Sequence, residues 1–192
     1  MANAGVPSMT IDRNEAALAA RHCRPYVLVV DDEPVLREEI VEYLQARGFE
    51  ADAVSNGRDA LDRLRADSSV TVMLSDIRMP EMDGLALAEA AIAQSGEEHA
   101  IEVVMLTGHA TVNDAAAAAR LRAIDFLLKP LEFATLKSAL QRAHDSARTR
   151  RAKWQEVRAL DMMYANTRTE IASLQSLISQ LQSRLAQPEN AR

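Results

Sequence analysis

Short, unbroken apolar runs alternate along the chain with stretches in which apolar residues recur every three or four positions. Tyr26 to Val30 is the first such run, the mark of a strand covered on both faces. Pro34 stands where a helix would open, since its missing N–H costs nothing at the first helical position. Val35, Leu36, Ile40, Val41 and Leu44 follow at helical spacing, and Gly48 stops that helix. The alternation then continues. Glu50 to Val54 predicts a second strand, Asn56-Gly57 a turn, and Ala60, Leu61 and Leu64 one helical stripe. Val70 to Leu74 predicts a third strand ending at Ser75-Asp76, with a loop holding Pro80 and Gly84 and a helix from about Leu85 to Gln94 behind it. Ile101 to Leu106 is a fourth strand ending at Thr107-Gly108, Thr111 to Leu121 an Ala-rich helix, and Ile124 to Leu128 a fifth strand ending at Lys129-Pro130. A last helix opens near Glu132.

Strands alternating with helices predict an α/β fold, a five-stranded parallel, doubly wound sheet with helices on both faces. Such sheets bind ligands outside the carboxyl ends of their strands, at the switch in strand order. The residues at four of those ends are Asp31 and Asp32, Asp76, Thr107 and Lys129. Taken singly, each has a plain reading: an aspartate or threonine capping a helix, a lysine in solvent. Taken together they form a chemical set. Three crowded carboxylates repel unless a cation neutralises them, and an all-oxygen donor set suits Mg²⁺, which is commonly shared between carboxylates and phosphate oxygens. Lys129 adds a mobile positive charge and Thr107 a hydroxyl. The set is suited to receiving a phosphoryl group, with Asp76 as the nucleophile that forms an acyl phosphate.

The four motifs VLVVDDEP, MLSDIRMPEMDG (Met73 to Gly84), VVMLTGHA (Val103 to Ala110) and DFLLKP (Asp125 to Pro130) resemble those of the response-regulator receiver domain of two-component signalling. The resemblance runs from about Tyr26 to Asp145. It implies a flavodoxin-like sheet, Mg²⁺ as cofactor, and a sensor histidine kinase or phosphotransfer protein as phosphoryl donor. It implies Asp32 as a direct Mg²⁺ ligand, Asp31 acting more through water, Asp76 as phosphoacceptor and ligand, and the main-chain carbonyl of Arg78 as a further ligand. Thr107 and Phe126 match the family's switch pair, Lys129 its phosphoryl-binding lysine, and the Lys129–Pro130 bond is expected to be cis. Arg122 departs from the family's usual Gly. Arg78 and His109 lie two residues past Asp76 and Thr107, where side chains able to cover the phosphate would set its lifetime. His22, His99 and His144 show no metal spacing. HDSARTR, beginning at His144, only faintly resembles a kinase phosphorylation box.

Beyond Asp145 the pattern changes to a heptad. Val157, Leu160, Tyr164, Thr167, Ile171, Leu174, Ile178, Leu181 and Leu185 recur at alternating spacings of three and four, and no proline interrupts them until Pro188. This is a coiled-coil seam. Mostly β-branched residues at a with Leu at d favour a parallel two-stranded coil, hence a homodimer, and some 30 residues reach about 45 Å. The expected organisation is a flexible arm over 1–24, a receiver over 25–146, a coiled-coil stalk over 147–187 and a disordered tail over 188–192.

Charge sharpens that division. Arg148 to Arg192 holds eight basic and four acidic residues, net +4, whereas the whole chain of 192 residues is −6. The acidic head makes nucleic acid an unlikely main partner. The basic cluster Arg148, Arg150, Arg151 and Lys153 is expected to be solvated or to touch the acidic head of a second chain. A lone cysteine, Cys23, allows no internal disulfide, and no segment is apolar enough to span a membrane, so a cytoplasmic setting is expected. The leading expectation is a phosphorylated module acting through protein contacts, with a possible downstream protein partner, no DNA-binding output domain and no reaction on an external substrate. The alternative is an antitermination-like nucleic-acid regulator using the basic helix, which would betray itself by steep salt dependence.

Overall fold

The computed structural model describes residues 24–108 and 125–185. Cys23, His109, the Ala-rich helix expected over Thr111 to Leu121, Arg122 and the tail over 188–192 lie outside them, as does nearly all of the arm over 1–24. The described elements are β1 (Tyr26–Val30), α1 (Pro34–Gln45), β2 (Glu50–Val54), α2 (Gly57–Ala66), β3 (Val72–Asp76), α3 (Gly84–Ser95), β4 (Glu102–Thr107), β5 (Asp125–Leu128) and α4 (Phe133–Leu185). The five strands form one parallel sheet in the order β2-β1-β3-β4-β5. The apolar runs predict this parallel, doubly wound sheet, and its strand order is flavodoxin-like, as the resemblance implies.

Strand alternation divides the core in two. Leu28, Val30, Met73, Val103 and Met105 face α2 and α3, where Ala60, Leu87, Ala88 and Ala91 meet them. Val27, Val29, Val72, Leu74, Val104, Leu106 and Leu127 face α1 and α4, against Ile40, Leu44, Leu136 and Leu140. Both faces of the central strands are buried, which is why they read as unbroken apolar runs. Truncating a fully buried leucine here, such as Leu74 or Leu106, costs about 2–5 kcal/mol.

Two local readings shift. The third strand opens at Val72 rather than Val70, and it ends at Ser75 and Asp76 as expected, where both continue the ladder opposite Met105 and Leu106. Asn56 does more than turn the chain: its side-chain oxygen accepts from the Asp59 N–H at 2.9 Å and caps α2. Gly48 acts as expected. With φ +83° it ends α1 in the left-handed conformation, and the Phe49 N–H closes back onto the Leu44 carbonyl.

The chain divides into two units between Arg151 and Ala152. In the first, α4 reaches the amino-terminal edge of the sheet. His144, 1% exposed, lies 2.9 Å through Nδ1 from the Thr71 hydroxyl, and its Nε2 has no partner. This burial removes the ring from any kinase-like role. Two residues of the basic cluster depart from expectation. Arg150 pairs with Glu97 and the buried Glu102, and Arg151 donates to the carbonyls of Ala100, Ser68, Val70 and His99. Arg150 and Arg151 thus engage carboxylates and main-chain carbonyls at the segments leading into β3 and β4, while Arg148 and Lys153 are exposed as expected. The contacts of Arg150 and Arg151 lie four and five residues past the boundary expected at 146.

In the second unit the seam residues Val157, Leu160, Tyr164, Ile171, Leu174, Ile178 and Leu181 are roughly half exposed. The Thr167 hydroxyl donates to the Met163 carbonyl, so its polar group is satisfied within the helix. Among the described residues no helix is long and apolar enough to cross a membrane.

Candidate functional site

Register dictates which strand ends meet. Val30 lies opposite Ser75, so Asp31 and Asp76 end their strands level with each other, at the point where the strand order switches between β1 and β3. Alternation dictates the side. Asp31 continues Val27 and Val29, Asp76 continues Val72 and Leu74, and Lys129 continues Leu127, all on the α1/α4 face. The Lys129 ammonium accordingly reaches both carboxylates, 2.9 Å from Asp31 Oδ2 and 2.8 Å from Asp76 Oδ2.

Asp31 is fully buried. Its Oδ1 accepts the Glu33 N–H at 2.9 Å and its Oδ2 the Lys129 ammonium. Asp76 is almost as deeply buried, and its Oδ1 accepts a long hydrogen bond, 3.4 Å, from the Arg78 N–H. Asp32 is exposed. One carboxylate oxygen from each of Asp31, Asp32 and Asp76 falls within a cluster no more than 4.8 Å across. That hard, all-oxygen donor set fits a divalent cation of the Mg²⁺ class. Burial pushes the Lys129 ammonium toward neutrality, but hydrogen bonds and charge from Asp76 and Asp31 outweigh it, and its pKa ends above the usual lysine value. The lysine therefore stays cationic between two anions.

The β3–α3 loop brings Gly84, named in the sequence only as a loop residue, against the main chain of Asp76. A Cβ on Gly84 would lie 2.1 Å from the main-chain oxygen of Asp76. Only glycine lets the chain pass that close, and the Gly84 N–H donates to the Ile77 carbonyl at 2.9 Å. Asp83 caps α3 just before it, accepting from the Ala86 N–H. Glu81, at φ +64°, turns the loop between Pro80 and Met82.

Thr107 is buried at the end of β4, and its carbonyl accepts the Lys129 N–H at 2.8 Å. Phe126 lies opposite Met105 on β5 and packs, half-buried, into the α2/α3 core. By alternation Thr107 and Phe126 share that face. The Lys129–Pro130 bond is cis. Arg78 is exposed next to the site.

The receiver-domain model of response regulators matches residues 27–141, well over half of the chain. The chain belongs to the response-regulator receiver family. Its receiver is 38% identical over 117 residues to the regulatory protein AtoC of Escherichia coli, covering 61% of this chain and 24% of AtoC. It is 35% identical over 121 residues to the E. coli DNA-binding transcriptional regulator NtrC, covering 62% and 25%. The chain thus spans about a quarter of the length of these relatives. Among solved structures, a receiver protein of Pseudomonas putida superposes with a TM-score of 0.57 at 32% identity, over 62% of this chain and 97% of that one. The chemotaxis protein CheY4 of Vibrio cholerae gives 0.58 at 30%, over 62% and 98%. Response regulator StyR gives 0.66 at 28%, over 74% and 70%. Receivers as a class bind Mg²⁺ and take phosphoryl groups from histidine kinases or phosphotransfer proteins.

Proposed function

We propose that this receiver accepts a phosphoryl group on Asp76 from a histidine kinase or phosphotransfer protein, in a Mg²⁺-dependent step, and signals through a parallel coiled-coil homodimer formed by residues 157 to 185. The observation that carries the chemistry is the Lys129 ammonium held between Asp31 and Asp76. The bond from an Asp76 oxygen to phosphorus forms as the donor's bond to phosphorus breaks, and the donor leaves with that electron pair. Asp31, Asp32, Asp76 and the main-chain carbonyl of Arg78 would hold Mg²⁺, which supplies charge neutralisation for the phosphoryl oxygens. Asp32, exposed and reachable, suits direct ligation; Asp31, already accepting two hydrogen bonds, suits a water-mediated role. Lys129 transfers its hydrogen bonds from the carboxylates to the phosphoryl oxygens. Thr107 and Phe126 form the switch pair in this reading, and Arg78 and His109 set the phosphate lifetime.

For the output, an exposed apolar seam of heptad spacing supports pairing with a second copy or a downstream protein helix. The nucleic-acid alternative loses two of its cations, since Arg150 and Arg151 are engaged with the sheet. A cytoplasmic setting completes the reading. The test is labelling of the full chain by acetyl phosphate. The parent incorporates phosphate only with Mg²⁺ present and Asp76→Asn incorporates none; equal labelling of Asp76→Asn, or labelling in excess chelator, refutes the proposal.

A further inference from the structure

Asp31 is held by three donors: Glu33 just before α1, Arg37 within α1, and Lys129 just after β5. Its two carboxylate oxygens accept from Glu33 N and Lys129 Nζ, and its main-chain carbonyl accepts from Arg37 Nη1 at 2.6 Å. Arg37 belongs to the opening turn of α1. A basic residue there opposes the helix dipole, whose positive end lies at the amino terminus, and Glu33 makes no side-chain cap to offset it. Helix stability therefore gives no reason for the guanidinium. Its hydrogen bond does. The Asp31 carbonyl belongs to the peptide that joins Asp31 to Asp32, so fixing that oxygen fixes the direction in which the chain leaves Asp31. Asp32 is exposed and depends on that peptide for its place in the carboxylate cluster.

We infer that Arg37 is a positioning residue for the cation site: it locks the Asp31–Asp32 peptide and thereby presents the Asp32 carboxylate to Mg²⁺. The inference rests on the proposed Mg²⁺ site. Its sign separates it from simple charge effects. A guanidinium near three carboxylates repels an arriving dication, so deleting its charge alone would tighten Mg²⁺ binding. Deleting an orienting group loosens binding, and residues that orient metal ligands are worth about tenfold or more in affinity.

The experiment is calorimetric titration of the full-length chain with MgCl₂ alone, for parent, Arg37→Met and Arg37→Lys, with thermal unfolding of each in chelator. We expect Arg37→Met to weaken Mg²⁺ binding about tenfold, Arg37→Lys to fall between, and all three to unfold alike in chelator. Binding by Arg37→Met at or above the parent affinity overturns the inference. So does weaker binding that merely tracks a loss of metal-free stability, since that marks a structural role. A parent that binds no Mg²⁺ refutes the site itself, and the inference with it; a parent that binds beside an unaffected Arg37→Met refutes only the inference.

Discussion

Arg151 gives the most exposed test of how the receiver ends. Its guanidinium reaches four carbonyls, at 2.9 Å (Ala100), 3.0 Å (Ser68), 3.2 Å (His99) and a closer contact to Val70. The bonds to Ser68 and His99 are open to solvent, where water substitutes at little cost. Those to Ala100 and Val70 are partly buried, and hydrogen bonds involving a charged group contribute about 1.5–3 kcal/mol each. Burial of the guanidinium, which also lowers its pKa, takes back part of that sum. We expect Arg151→Met, which keeps most of the apolar stem, to cost about 2–4 kcal/mol. At roughly 2–4 °C per kcal/mol for a unit of this size, melting falls by roughly 4–16 °C. Urea and thermal unfolding of the full chain, followed by circular dichroism, measure both. A variant within about 0.5 kcal/mol of the parent, the range of an ordinary surface change, refutes the staple. The same reasoning expects a chain ended after Asp145 to be less stable than one ended after Ala152.

Gly84→Ala places a methyl group against the Asp76 main chain; acetyl phosphate labelling should slow by about tenfold, the effect of about 1.4 kcal/mol on the barrier, and an unchanged rate sinks the close-approach argument. His144 is held neutral by burial first and by Arg148 and Arg151 next, with Asp145 opposing, so its folded pKa is lowered. The unfolded chain then takes up more protons below the ordinary histidine value near 6.5, and stability is full above that pH and falls as pH drops below it; His144→Gln should flatten that slope in urea titrations, and an identical slope removes His144 as its source. If the proposed coiled-coil dimer forms, Ile171→Asp with Leu174→Asp, in the middle of the seam, should leave the receiver folded and lower the parent's dimer mass to that of a monomer in sedimentation at micromolar concentration, whereas a variant mass equal to the parent's refutes the seam.

The sheet was legible because parallel strands buried on both faces leave unbroken apolar runs: Tyr26–Val30 is such a run, whereas the edge strand Glu50–Val54, partly buried and carrying Glu50 and Asp52, shows itself only by its place in the alternation. The carboxylate cluster and Lys129 were legible because a doubly wound sheet sends its chemistry to the strand ends. Hidden contacts of ordinary residues were not. Arginine has the same long stem whether it ends in water or on a carbonyl, so neither Arg37 nor Arg151 could be distinguished from Arg47 or Arg148 by spacing. Gly84 reads as a turn residue until the loop is folded over Asp76. His144 has no spacing that marks it until Thr71, distant in sequence, is brought beside it.

The shared parity of Asp31, Asp76 and Lys129 sets what the chain can tolerate by insertion or deletion. One residue added within β1 would leave the apolar composition of the strand almost unchanged, yet it would turn Asp31 to the opposite face of the sheet. Fold and reactivity would then part company, leaving a soluble domain that is chemically silent. Length changes in the loop from α3 to β4 leave that parity untouched and act on stability instead, since Glu97, His99 and Ala100 there hold Arg150 and Arg151. Drift in such a sequence is therefore uneven: graded in stability at the amino edge, and quantised in steps of two where the strands run up to their carboxylates.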